Sequence, residues 1–198
     1  EVNWMTAGRG IVHSERTPSS LRAAGSPLAG IQLWVALPRE AEEAPPSFSH
    51  HAVLPTADDD GVRLRVVLGK MAGVASPVVT LSPMICVHAA LVQDARLAFP
   101  ADHEERGVYV VEGEIEIEGV PHAAGEMLVF ARGGEPVLRG RSASRVLLFG
   151  GAPLDGPRHV WWNFVSSSKE RIAQAAADWQ AGRFPAVPGE TEFIPLPA

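Results

Sequence analysis

His13 and Glu15 stand out in the stretch WMTAGRGIVHSER, residues 4–16, where apolar residues and glycines give way to a histidine, a serine and a glutamate. In an extended chain, positions i and i+2 point to one side, so the imidazole and the carboxylate aim at a common point. That pairing is half of a metal site or half of an acid–base pair, since both groups bind cations and both move protons. The bland alternative is an ordinary polar pair on an exposed strand end.

The other reactive side chains give weaker signals. Glu112, Glu114, Glu116 and Glu118 alternate with Ile115 and Ile117, which describes a strand with one buried face and its carboxylates in water. DDDG at 58–61 starts like a calcium loop, but Gly69 and Met71 stand where the closing acid should be, so it reads as a turn. His50 and His51 are adjacent and point to opposite sides of an extended chain. His88 and His122 have no carboxylate or histidine two positions away and read as structural. Cys86 shares a strand face with His88, yet no third member of a nucleophilic triad is identifiable.

His103 opens a longer pattern, HEERGVYVVEGEIEIEGVPHAAGEMLVF. It resembles the core hairpins of a cupin, a small jelly-roll barrel that often holds a metal in its mouth. The metal-bearing pattern of that family is His-x-His, a few residues, a glutamate and then a glycine seven positions on. Counting back from Gly113 puts the acidic slot at Arg106 and the histidine slots near Phe99 and Ala101. No late histidine occurs in EPVLRG, residues 135–140. The resemblance therefore implies a barrel without a metal, with an apolar lining and a structural role.

The elements that must position these groups are short. Nineteen glycines and 17 prolines break 198 residues into brief apolar runs, which favours strands over helices. The pattern predicts strands near Val2–Thr6, Gly10–Glu15, Gly30–Ala36, Val62–Leu68, Val78–Leu81, Ile85–Leu91, Gly107–Glu112, Glu114–Glu118, Met127–Phe130, Pro136–Gly140 and Ser144–Gly150. Residues 38–61 read as a linker between two β units. One helix is expected at about 167–181, with Ser167 and Glu170 as a capping box, Ile172, Ala175, Ala176 and Trp179 at helical spacing, and Gly182 as the stop. The tail is too rich in proline to be regular and is expected to lie extended along the surface.

Composition narrows the classes. With 46% hydrophobic and 20% charged residues the chain is ordinary for a globular protein. A single cysteine allows no internal disulfide, and a cytoplasmic location is the simplest expectation. A net charge of −6 argues against direct nucleic-acid binding and against a membrane surface. No run approaches the apolar length of a membrane span.

Longer stretches carry a family resemblance. WMTAGRGIVHSE, the following GIQLWVALP, and LFGGAPLDGPRHVWWNFVSSSKERIAQAAADWQAGRFP together resemble the pirin family, over nearly the whole chain. Pirins resemble two cupin barrels face to face, the second closed by a C-terminal helix. The implied fold is all-β: residues 1–37 as the last strands of a partial first barrel, and residues 62–198 as a complete second barrel with its helix and tail. The family's metal, usually iron, is held by three histidines and a glutamate. The resemblance makes His13 the third histidine ligand, and Glu15 the carboxylate ligand and candidate catalytic proton acceptor. The early His-x-His segment of the family is absent, so two of four ligands of an Fe(II) site are expected here, their partners upstream of Glu1.

Three functional expectations follow from the resemblance. The first is an iron-dependent dioxygenase that cleaves a flavonol such as quercetin, inactive as this chain alone. The second is a non-catalytic regulator that binds a protein partner, similar to a transcriptional cofactor. The third is a metal-free barrel whose residues 1–37 self-associate to cover exposed strand edges.

Overall fold

The computed structural model describes residues 1–25 and 27–197. The chain divides into two compact units, Glu1–Trp4 with Phe48–Pro153, and Met5–Ser47 with Leu154–Ala198. In chain order the elements are β1 (Val2–Thr6), α1 (Ser19–Ala24), β2 (Ser47–His51), β3 (Thr56–Asp59), β4 (Val62–Leu68), β5 (Lys70–Met71), β6 (Val74–Ala75), β7 (Met84–Leu91) and β8 (Arg96–Ala98). They continue with β9 (Glu105–Glu112), β10 (Glu114–Ile117), β11 (Val120–Ala123), β12 (Met127–Val129), β13 (Val137–Gly140), β14 (Ser144–Gly151), β15 (His159–Trp161), β16 (Phe164–Ser166) and α2 (Lys169–Gln180).

The first unit is built on two antiparallel sheets. One has six strands in the order β12-β9-β14-β7-β4-β3, the other four in the order β11-β10-β13-β8. Period-two alternation places Val66, Val87, Val108, Val110, Val146 and Leu148 of the larger sheet in one buried cluster with Phe99, Ile115 and Leu138. Full burial of each such side chain is worth roughly 1.5–3 kcal/mol. The opposite face of the larger sheet carries Cys86 and Leu147, with Val2 and Trp4 packed on them. A bulge between Val66 and Leu68 breaks the alternation of β4. The strand's last two apolar side chains, Val67 and Leu68, consequently both join this second cluster.

DDDG forms the β3–β4 turn, with Asp60 (φ 39°) and Gly61 (φ 79°) as its two central residues. Positive φ at both positions is the hairpin geometry that an Asp-Gly pair favours. The glutamates of 112–118 face outward as expected, and three of them find arginines: Arg145 with Glu112 at 3.2 Å, Arg141 with Glu114 at 3.0 Å, and Arg139 with Glu116 at 3.6 Å. One expectation for this unit fails. Its lining is not wholly apolar, because Arg106, an inward-facing residue of β9, is only 3% exposed.

The second unit contains the β15–β16 hairpin, α2 and the tail. Helix α2 buries Ile172 and Ala175. Its N-cap is Ser168, not the expected Ser167: the Ser168 hydroxyl accepts from the Arg171 N–H at 3.2 Å and donates to Glu170 at 2.8 Å. Ser167 is engaged elsewhere, since both its N–H and its hydroxyl donate to the Glu42 carboxylate. The sequence offered two adjacent serines, and the competing acceptor selected between them.

Residues 38–61 contain more than a linker: a 3-10 turn at Arg39–Ala41, then β2 and β3. Gly10–Glu15, Gly30–Ala36 and Val78–Leu81 are not strands. Strand identity requires a hydrogen-bonded neighbour, which apolar composition alone does not supply. Leu28, Ile31, Leu33, Trp34 and Val35 are all exposed.

Candidate functional site

The segment bearing His13 and Glu15 is shaped by close backbone contacts at its start. After β1 the chain turns, with the Gly10 N–H donating to the Ala7 carbonyl at 2.9 Å and the Arg9 N–H to the Ala44 carbonyl at 3.0 Å. Gly8 has φ 51°, and a Cβ there would lie 1.9 Å from the Ala44 oxygen, so only glycine fits. Gly10 faces the Phe184 ring: a Cβ would sit 2.7 Å from that ring, at φ 141°. The Arg171 guanidinium of α2 donates to the Arg9 carbonyl at 2.8 Å and pairs with Glu43 at 2.7 Å.

Phe184 belongs to an aromatic group. Its ring stacks on Phe164 at 6.1 Å and meets Trp179 edge-on at 5.6 Å, while Trp162 contacts Phe164 and Trp179 at 5.4 and 5.3 Å. Such pairs add about 0.5–1.5 kcal/mol each beyond their burial. Gly10 thus packs on a rigid aromatic support three residues before His13. Gly10→Ala is expected to displace Phe184 and destabilise this unit by roughly 1–3 kcal/mol, through strain at positive φ plus the forced contact. Urea unfolding followed by tryptophan fluorescence will check it, and an unchanged midpoint would refute the packing argument.

Past Gly10, Ser14 donates to Glu190 Oε1 at 2.9 Å, and Arg16 grips the same carboxylate through Nε at 2.7 Å and Nη2 at 2.5 Å. Arg16 also reaches Glu192 at 3.1 Å. The Arg16 and Ser14 contacts hold the Glu190 carboxyl below the usual carboxylate range. Residues 11–16 form no strand, so the strand expected at Gly10–Glu15, on which period-two alternation rested, is absent.

His13 and Glu15 are both exposed, and neither makes a hydrogen bond or ion pair with a described residue. Their donor types, imidazole nitrogen and carboxylate oxygen, fit a divalent first-row metal. Among the described residues no group of three or more His, Cys, Asp or Glu gathers anywhere. The pair fits two positions of a metal centre and does not complete one.

The remaining histidines fall outside this arrangement. His50 bonds Asn3 at 2.7 Å and His122 bonds Glu126 at 3.1 Å, the latter a carboxylate four positions away instead of two. Burial lowers the pKa of both His88 and His103; Arg65 and Arg145 press His88 further down, while Arg106 does so for His103 against the opposing pull of Asp102. Burial also pushes the Cys86 thiol up to about 12, which leaves it unreactive beside His88. Residues missed in the sequence are Glu190, Phe184 and Arg171. Each lies more than 160 positions from the segment it holds, and the one local clue was the acidic GETE among prolines of the tail.

Comparison with known proteins extends these observations. The model of the pirin C-terminal cupin domain matches residues 86–185, and the pirin model matches residues 1–35. A pirin-like protein of Caulobacter vibrioides is 47% identical over 202 residues, covering 100% of this chain and 69% of that protein. A Pseudomonas aeruginosa protein provisionally named a quercetin 2,3-dioxygenase is 36% identical over 184 residues, covering 92% of this chain and 57% of that one. Among solved structures, quercetin 2,3-dioxygenase from Acinetobacter baumannii superposes with a TM-score of 0.84 at 30% identity, covering 99% of this chain and 66% of that one. The chain thus spans 57–69% of the length of these relatives. Its antiparallel sheets and C-terminal helix are those of a pirin cupin, and the chain belongs to the pirin family.

Proposed function

We propose that this chain is the larger part of a metal-dependent flavonol dioxygenase of the quercetin 2,3-dioxygenase type, with His13 and Glu15 as two of the metal's protein donors. The observation that carries the reading is the pair itself: two exposed donors two positions apart, without a hydrogen bond to a described residue, interleaved with Ser14 and Arg16, which Glu190 holds. The likeness to the Acinetobacter baumannii dioxygenase supports the reaction class. A divalent iron, when bound, supplies Lewis acidity and redox chemistry toward oxygen and a hydroxylated aromatic substrate. His13 contributes a neutral nitrogen donor. Glu15 would contribute an anionic oxygen and is the group that would accept the proton of a flavonol hydroxyl. Two donors give weak and unselective binding, so a tight centre requires further donors beside His13 and Glu15.

Elemental analysis and a quercetin-loss assay test the reading. The chain is prepared alone and together with the part of the Caulobacter vibrioides relative that it does not span. Iron uptake and quercetin loss are expected in the complemented form, and His13→Ala or Glu15→Gln should reduce turnover at least 100-fold, on the order of other ligand-shell losses. Quercetin loss that persists without metal, or in both variants, would sink it.

A further inference from the structure

We propose that Glu190, in the C-terminal tail, is a positioning residue for the His13–Glu15 donor pair. Its carboxylate holds Ser14 and Arg16, which are interleaved with the two donors, and so restrains the backbone that carries the imidazole and the carboxylate. The inference rests on the reading of His13 and Glu15 as metal donors.

The geometry is specific. Glu190 Oε1 accepts from both Ser14 and Arg16 Nε, and Oε2 accepts from Arg16 Nη2, so one carboxylate spans two alternate residues. The Arg16 contact is bidentate, the form of charge pairing with the strongest directional preference. A rotation of the segment about its own axis would break both contacts together. The backbone of His13 and Glu15 cannot turn freely while the clamp is made.

A clamp positions only if it is itself held, and Glu190 is. Upstream of it, Phe184 packs on Trp179 at 5.6 Å. Downstream, Phe193 stacks on the same indole at 5.2 Å, and the Trp179 N–H donates to the Ile194 carbonyl at 2.8 Å. Both ends of the loop that carries Glu190 therefore rest on one residue of α2. Within the loop, the Glu190 N–H donates to the Val187 carbonyl at 3.1 Å, across Gly189 at φ 80°. That turn aims the carboxylate.

The same residue of α2 that seats Phe184 under Gly10 also seats the Glu190 loop. The donor segment is thus held before His13 by a ring and after it by a carboxylate, both provided from the C-terminal end of the chain. Freezing the segment in advance spares the metal the cost of ordering it. Partners just behind the ligands typically change metal affinity by 10–100-fold.

Cobalt(II), a spectroscopic stand-in for iron, is titrated to large excess, enough to register the weak binding of two donors, into the 198-residue chain while the imidazole signals of His13 are followed by NMR. Wild type should show saturable shifts at His13, and Glu190→Gln should require about 10-fold more cobalt. Arg16→Gln should weaken binding similarly, and Arg16→Glu combined with Glu190→Arg should recover part of the affinity. A purely structural tether would lower tail protection from proteolysis and leave the cobalt titration unmoved. An unchanged titration in Glu190→Gln, with wild-type binding intact, overturns the positioning role alone. No cobalt response in wild type, or a response that survives in both His13→Ala and Glu15→Gln, overturns the donor reading and this inference with it.

Discussion

Glu42→Ala should destabilise the second unit by about 3–5 kcal/mol and lower its melting temperature by roughly 10 °C. The reason is a buried charge that loses the more buried of its two counter-ions, together with three donors that lose their acceptor. Arg158 is 5% exposed at its side chain and Glu42 15%, with Nε 2.7 Å from Glu42 Oε1. That N–H points too obliquely for a hydrogen bond, so the attraction is chiefly electrostatic. The Glu42 carboxylate also accepts from the Ser166 hydroxyl at 3.0 Å, the Ser167 N–H at 3.0 and 3.1 Å, and the Ser167 hydroxyl at 3.0 Å. The other Arg158 nitrogens donate to the Leu37 and Gly156 carbonyls and to Asp155, which in turn accepts the Arg39 N–H. Removing the carboxylate leaves the guanidinium with Asp155 as its one remaining counter-ion among the described residues and strands three donors.

The pH dependence has a definite sign. Burial alone would raise the Glu42 pKa, but the serine hydrogen bonds and Arg158 outweigh it, and the net shift is downward from 4.5. A depressed folded-state value means stability that is present above about 4.5 and lost as pH falls through the folded value. Wild type and Glu42→Ala should therefore differ most at pH 7 and converge in acid. Glu42→Gln, which keeps the shape and loses the charge, should fall between them. Urea unfolding by tryptophan fluorescence at both pH values is the measurement. A difference under 1 kcal/mol at pH 7, or one that does not shrink in acid, would refute the account.

The parts legible in the sequence share a physical trait. Val62–Leu68, Ile85–Leu91 and Ser144–Gly150 sit in one sheet with neighbours on both sides, so alternation, burial and hydrogen bonding all agree, and the strands form close to the expected bounds. Gly30–Ala36 has the same apolar character but no ladder partner, and a strand without a neighbour is no strand. His13 and Glu15 stand out in the sequence by residue type and spacing, but the strand that spacing implied does not form. The clamp on this segment was not legible, because Glu190 is tied to Ser14 and Arg16 across 176 and 174 positions by contacts that no spacing encodes. The Ser167–Ser168 ambiguity was likewise insoluble locally, since Glu42 decides it from a distance.

Arg106 is the second place where a large effect is expected, and two opposing terms must be compared. A buried cation with no carboxylate beside it suffers a desolvation cost of several kcal/mol, and replacing such charges with apolar side chains can stabilise a protein by about 1–4 kcal/mol. Against that, Nη1 donates to the Phe99 and Pro100 carbonyls at 3.0 and 3.1 Å, Nη2 donates to the Gly134 carbonyl at 2.5 Å, and the guanidinium lies 5.6 Å from the centre of the Phe99 ring. Only Nε lacks a partner among the described residues. Three charge-assisted bonds at about 1.5–3 kcal/mol each, with a cation–π contact of up to about 2, exceed the desolvation cost. Arg106→Met should therefore destabilise the first unit by about 3 kcal/mol. Arg106→Lys should recover less than half, because one ammonium cannot reach carbonyls fanned out across 35 positions of chain, from Phe99 to Gly134. Chemical denaturation with amide exchange at residues 99–106 and 130–134 will separate the outcomes, and stabilisation by methionine would show that desolvation wins. Counting from Gly113, the slot that carries a carboxylate ligand in metal-bearing cupins carries this guanidinium instead. A cation fixed to the chain there ties the 99–100 and 134 turns to the start of β9.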